Sequence, residues 1–296
     1  MATQTPRTPG EPRRVAYLYV APAFCVFAAF MLWPLVRAVW LSLFAWDGLT
    51  VGTWVGLDNY ATVLGDPALR APFGHAAVLV LFFCVLPVTV GITVAGLMSR
   101  TQLVGLGFFR TVLFLPQVVA LVVVAIAWQT IYAPAGPLND LLSAVGLGAL
   151  TRGWLGDTTW ALPSVGFVGT WVATGLCLVL FLAGLEKVPR ELYEAARVDG
   201  AGPVREFFTV GLPALRGELA VALTLTMIAA LRTFDLVYMM TSGGPGDRTS
   251  VPAFEVYRQT FEQAAVGLGM TVAVILTVVI LVITVGITRL AEGAQR

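Results

Sequence analysis

Arg232, Asp235 and Tyr238 interrupt a run that is otherwise apolar over residues 219–240. An ionisable side chain inside such a run is costly in lipid and normally faces a bundle interior or a water-filled cavity. On a helix, Arg232 and Asp235 are i, i+3 neighbours and Tyr238 continues the same face. Asp235 and Tyr238 could then bond ligand hydroxyls, and Arg232 could meet an acidic or polyhydroxylated ligand. The same two charges also suit an internal ion pair that fixes helix packing. Trp128 and Gln129, with Tyr132, and Trp171, with Thr174, offer rings and polar groups that suit polyhydroxylated ligands. Such rings also gather at membrane interfaces with no ligand present. A second cluster, residues 190–216, concentrates charge and glycine between apolar runs.

Several chemistries are excluded. Cys25, Cys84 and Cys177 fall in apolar runs at no metal-ligand spacing, so neither a metal site nor a disulfide framework is expected. No Ser/His pair or paired carboxylates stand out within the apolar runs, so the chain is not expected to be an enzyme. The only lysine, Lys187, lies in Glu186-Lys187-Val188, outside any phosphate-binding glycine loop. Any ATP is therefore expected to be hydrolysed on another polypeptide. With a net charge of +1 and no polybasic tract, nucleic acid is not an expected partner.

The elements that must position these residues are membrane spans. The chain is 58% hydrophobic with only 12% charged residues, about half the charge of a soluble domain. Six runs reach the ~20 apolar residues a spanning helix needs: residues 15–43, 76–98, 111–132, 160–185, 219–240 and 264–288. The first is too long for a signal-peptide core and has no small-residue cleavage site. Pro22, Pro34, Pro87, Pro116 and Pro163 in or near the runs favour a packed bundle around a cavity. An even number of spans puts both termini on one side. If that side is cytoplasmic, it holds Arg7, Arg13, Arg14, Arg100, Arg110, Lys187, Arg190, Arg197, Arg205, Arg216, Arg289 and Arg296. The other side holds Arg70, Arg152, Arg248 and Arg258, so the positive-inside rule predicts cytoplasmic termini and a cytoplasmic island. Arg37 is expected to snorkel to an interface. Residues 1–14 read as a polar tail, and residues 15–296 as one all-α membrane domain.

Within the island, Pro189 is predicted to open a helix, with Glu191 and Glu194 in its first turn. Leu192, Ala195, Ala196 and Asp199 share a face, and Gly200 and Gly202 stop the helix. Pro203 starts a second helix predicted to end before Gly211 and Pro213. The small-residue face suits insertion into a groove of another protein; an amphipathic helix resting on lipid is the alternative.

Glu194-Ala195-Ala196, Asp199-Gly200-Ala201 and Val210-Gly211-Leu212-Pro213 resemble the EAA loop of the permease subunits of binding-protein-dependent ABC importers. Val210 and Gly217 depart from the commoner isoleucine and proline. The likeness spans nearly the whole chain and is nearest the carbohydrate-uptake branch, the first permease of maltose and glycerol-phosphate type pairs. Its further marks are Ala21-Pro22, Pro34, Val55-Gly56-Leu57-Asp58-Asn59-Tyr60, Asp66-Pro67, Phe114-Leu115-Pro116 and Trp128. Gly136, Asn139, Trp154-Leu155, Thr241-Ser242-Gly243-Gly244-Pro245, Thr249, Tyr257 and Phe261 complete them, while His75 departs from the pattern.

The resemblance implies a type I ABC importer permease fold in the bacterial cytoplasmic (inner) membrane, with an EAA loop at about residues 188–213. It assigns coupling to Glu194, Ala195, Ala196, Asp199, Gly200, Ala201, Leu212 and Pro213. It implies as partners a second permease, two cytoplasmic ATPase subunits carrying ATP and Mg, and an extracytoplasmic solute-binding protein. Gly243, Gly244 and Pro245, a fixed turn by composition, would help form the surface on which that protein docks. The implied cargo is a sugar, polyol or sugar phosphate, to which Arg232, Asp235, Tyr238, Trp128, Gln129 and Trp171 are the path candidates. An ion-gradient-driven transporter using Asp235 as a relay, and an ABC permease for a non-carbohydrate solute, are the alternatives.

Overall fold

The structure, a computed structural model, describes residues 13–99 and 105–293. Most of the predicted tail lies outside the described residues, as do Arg7, Arg100 and Arg296. Four unbroken helices are long and apolar enough to cross a bilayer: Tyr19–Leu41, Pro67–Met98, Ala161–Leu185 and Val266–Leu290. Two helix pairs supply the other spans, each broken: Gly107–Val118 with Leu121–Ile131, bent by 99°, and Pro203–Ala214 with Arg216–Leu231, bent by 70°. Among the described residues the single sheet is one short antiparallel ladder, Phe44 opposite Trp54 and Ala45 opposite Thr53.

Proline explains much of the departure from straight spans. The second helix begins at Pro67, well before the predicted residue 76, because Asp66 caps it: its carboxylate accepts from the Ala68 amide at 2.9 Å. Pro34, Pro87 and Pro213 each stand just after a π-helical turn, at Ala28–Leu32, Leu81–Val85 and Phe207–Gly211. A proline has no amide hydrogen to give the carbonyl four residues back, and the wider turn accommodates that gap. The third span, predicted as continuous over residues 111–132, instead breaks at Val119 and Ala120. Both are extended there, three residues beyond Pro116.

The Ala161–Leu185 helix is the axis of the bundle, with Val165, Val168, Cys177, Leu178 and Phe181 buried around it. Small residues let its neighbours come close. A Cβ on Gly175 would lie 2.9 Å from the Phe114 Cα, so only glycine permits the Gly107–Val118 helix to pack there. No described side chain of Tyr19–Leu41 is buried. That helix is held to the bundle through Val266–Gly293, at whose start the Asn59 amide donates to Ser42 O and Phe44 O, at 2.8 and 2.9 Å. Thr271 Oγ1 donates to the same Ser42 carbonyl at 3.2 Å.

Candidate translocation and coupling sites

At one end of the bundle stands the island. Pro189 is the residue before the helix rather than its first residue, and Arg190–Val198 is the helix. Glu191 is in its first turn, while Glu194 falls in the second. The helix ends in a Schellman closure: the Gly200 amide donates to Arg197 O at 3.0 Å and the Ala201 amide to Ala196 O at 2.9 Å. Gly200 takes φ +77°, a left-handed conformation that a side chain disfavours. Glu194, Ala195 and Asp199 are exposed and Ala196 and Ala201 half-buried, so the small-residue face stands open. Leu192 and Val198 add apolar surface, Val198 being 87% exposed.

The second island helix runs through Gly211 and Pro213 to Ala214, contrary to the predicted stop. The chain turns at Leu215, which is fully buried, and enters Arg216–Leu231. Leu212 is half-buried and Pro213 exposed. Arg197 reaches across the turn to Glu206, with Nε 3.1 Å from Oε2 and Nη2 3.3 Å from Oε1. The hydrogen bond to Glu206, then its charge, holds the Arg197 pKa above its ordinary value. Beside the pair a cavity of about 590 Å³ is lined by Glu194, Arg190, Tyr193, Arg110 and Glu186. Arg110 and Glu186 bridge at 2.7 Å.

Deeper in the bundle lies a cavity of about 330 Å³ that holds both Arg232 and Asp235. The helix predicted to carry them does not continue through them. It stops at Leu231, leaves Arg232, Thr233 and Phe234 outside regular helix, and resumes as Asp235–Met240. The i, i+3 relationship is therefore lost, and among the described residues the two make no ion pair with each other. Both side chains are exposed to the cavity. Irregular backbone at membrane depth is tolerated where it lines a cavity, which accounts for the break here. Tyr238 turns away into a ring cluster, stacked on Phe234 at 5.1 Å and edge-on to Tyr257 at 5.3 Å.

The remaining path candidates also lie outside this cavity's lining. Gln129 Nε2 donates to Met239 O at 2.6 Å, tying Leu121–Ile131 to the Asp235–Met240 helix. Trp128 packs edge-on to Trp171 at 5.6 Å and against Tyr132 at 5.1 Å. The cavity wall includes Gln117 and Thr233, which the sequence analysis passed over. Gln117 had a legible signal: a polar residue directly after Pro116 inside an apolar run. Thr233 is buried and returns its hydroxyl to Ala229 O at 2.8 Å.

At the opposite end the loop after Asp235–Met240 is firmly built. Ser242, Gly243, Gly246 and Asp247 all have positive φ, and the Gly244–Pro245 peptide is cis. Thr249 Oγ1 lies 2.7 Å from Thr241 Oγ1 and 2.8 Å from Gly244 O. A Cβ on Gly243 would lie 2.6 Å from the Phe254 ring, so this glycine is required by contact as well as by φ. His75 is explained too: its Nδ1 sits 2.8 Å from Ser250 O, and since a carbonyl only accepts, Nδ1 carries the proton. Asn139 performs the same service in the preceding loop. Its Nδ2 donates to Arg152 O at 2.9 Å while its oxygen accepts from Trp154 Nε1 at 2.9 Å.

Comparison with known proteins agrees with this arrangement. Residues 87–295 match the family described as binding-protein-dependent transport system inner membrane component. The chain is 35% identical to the probable ABC transporter permease protein YurN of Bacillus subtilis, over 91% of this chain and 93% of that one. It is 32% identical to the diacetylchitobiose uptake system permease protein NgcF of Streptomyces coelicolor, over 97% and 88%. A bacterial alginate ABC transporter, crystallised in complex with an alginate pentasaccharide-bound periplasmic protein, shares the fold. Its matching chain superposes with a TM-score of 0.80 at 21% identity, covering 94% of each chain.

Proposed function

Since the chain belongs to the family of inner membrane components of binding-protein-dependent transport systems, we propose that its island docks on a cytoplasmic ATPase and its Arg232 and Asp235 cavity lies on the solute path. One observation carries this reading. The exposed helix Arg190–Val198 leads through a glycine turn into the bent pair Pro203–Ala214 and Arg216–Leu231 and so to the helix break at the cavity, so three successive helices link the two places. Glu194, Ala195, Ala196, Asp199, Gly200 and Ala201 present the docking face, and Leu212 and Pro213 lead into the bend. Two ATPase subunits, a second six-span permease and an extracytoplasmic solute-binding protein complete the assembly. Both termini and the island are cytoplasmic, and the turn at Gly243, Gly244 and Pro245 faces the binding protein.

The cargo is a sugar or related polyol or sugar phosphate. The diacetylchitobiose named for a relative that this chain matches over most of its length supports that class. Arg232 and Asp235, which make no ion pair with each other among the described residues, give a hydroxyl-rich solute both donor and acceptor groups. The aromatic wall of Trp128 and Trp171, and the groups of Gln129 and Tyr238, then position the path rather than line this cavity. In an alternating-access cycle, ATP on the ATPase and the loaded binding protein each favour one of two bundle states.

The test is a mild-detergent purification from native membranes through a tag on this chain, with and without Gly200→Trp. The expected result is an ATPase and a second permease with the native chain, and loss of the ATPase alone with Gly200→Trp. A folded, abundant native chain with no ATPase would sink the proposal.

A further inference from the structure

The Arg190–Val198 helix meets Pro203–Ala214 across only four residues, two of them Gly200 and Gly202. Such a joint is a weak transmitter of force unless something crosses it, since glycine backbone is permissive. The Schellman closure fixes where the first helix ends but not the angle between the two. A side-chain link does cross the joint: Arg197 bonds Glu206 in a two-bond bridge. Glu206 is only 4% exposed, although it sits at the most polar end of the bundle. Burial of a carboxylate is costly unless it is paired, and the bridge to Arg197 offsets part of that cost for Glu206.

The segment that receives Glu206 is seated firmly in the bundle. Phe207, its neighbour, packs so closely on Gly96 that a Cβ there would lie 2.8 Å from the ring. Leu215, at the 70° bend, fits against Gly184, where a Cβ would lie 2.5 Å from Leu215 Cδ2. From the bend, Arg216–Leu231 runs directly to the cavity break.

We infer that Arg197 and Glu206 form a brace that makes the docking helix and the bent transmembrane helix move as one body. Displacement of the docking helix is then delivered past Leu215 to Arg232 instead of being absorbed at Gly200 and Gly202. Arg197 and Glu206 are positioning residues, distinct from the small-residue docking face. This inference rests on the coupling reading above.

The test uses the tagged assembly with Cys25, Cys84 and Cys177 replaced by alanine and Ala229→Cys in the cavity wall. The readout is the rate at which N-ethylmaleimide labels that position, with and without ATP and orthovanadate. In the braced parent the rate changes by about five-fold or more, the lower end of ordinary coupling between sites. With Arg197→Gln or Glu206→Gln the ATPase still copurifies, but the change shrinks to less than half. Arg197→Lys, which keeps a charged donor, retains most of it. Arg197 is largely exposed, so Arg197→Gln carries the test even if Glu206→Gln fails to fold. An undiminished change in Arg197→Gln would overturn the brace, as would release of the ATPase by Arg197→Gln, which would make the pair part of the docking surface. A parent that copurifies with no ATPase would instead defeat the coupling reading itself.

Discussion

Arg258 lies one helical turn beyond Glu255, and its Nη2 donates to the fully buried Glu255 carboxylate at 2.8 Å. Gln259 donates to the other carboxylate oxygen, Oε1, at 2.7 Å, and Ser250 Oγ reaches the Arg258-bound Oε2 at 3.4 Å. The other guanidinium arm of Arg258 holds Asp247 on the loop. Glu255 raises the Arg258 pKa by its charge, against the opposing effect of burial. Removing one partner of a buried pair leaves the other uncompensated, at a cost of about 3 kcal/mol or more. Glu255→Gln is therefore expected to lower the thermal unfolding midpoint of the purified assembly clearly, whereas Asp247→Asn, at an exposed position, lowers it little. Equal midpoints for Glu255→Gln and the parent would refute this.

Asn59 binds both Ser42 O and Phe44 O through its side-chain amide. Asn59→Ala removes its donor from Phe44 O and leaves Ser42 O with only the longer bond from Thr271, and an unsatisfied buried group costs about 1–3 kcal/mol. The expected outcome is faster proteolysis of the Phe44–Ala45 and Thr53–Trp54 ladder, with the Ala161–Leu185 region still protected. Unchanged cleavage of the ladder would count against the role.

Gly184 admits Leu215 at the bend, and Glu218, which bridges Lys187 at 2.9 Å, would also lie 2.9 Å from a Cβ there. Gly184→Ala must displace one of them, and overpacking of this kind costs about 1–3 kcal/mol. A lower unfolding midpoint is expected, accompanied by weaker solute uptake because the bend is reset. Gly217→Ala, two residues beyond the same bend with open space at its Cβ, is the control and should not lower the midpoint.

Arg232→Gln and Asp235→Asn keep the cavity's size and remove its charges. Each is expected to slow uptake of the solute found on the copurified binding protein by about ten-fold, the effect of roughly 1.4 kcal/mol. Copurification of the ATPase stays intact, because neither residue is near the island. Normal uptake in both variants would remove them from the path.

The spans, the island helix and its stop at Gly200 were legible because each is written locally, in hydropathy, capping residues and glycine. The break at Arg232, Thr233 and Phe234 was not, since no proline or glycine marks it and apolar residues continue on both sides. Its stability comes from neighbours: Gln129 holds the Asp235–Met240 helix from another span. The pairs Arg197 with Glu206 and His75 with Ser250 O were hidden for a similar reason. A charge or a ring nitrogen in sequence does not declare which distant group will meet it. Glu255 was the largest omission, because a glutamate near the end of a span reads as a solvated residue until the surrounding loop is seen to cover it.

The first membrane helix, with no buried side chain and its anchorage on Ser42, Phe44, Gly267 and Thr271, has a consequence for how the chain is made. Of the six spans described, the first to be synthesised has its chief intramolecular neighbour in the sixth. It must wait in the bilayer, unattached to its own bundle, until the sixth span has been synthesised, so assembly of these six spans closes in a ring rather than growing from the first.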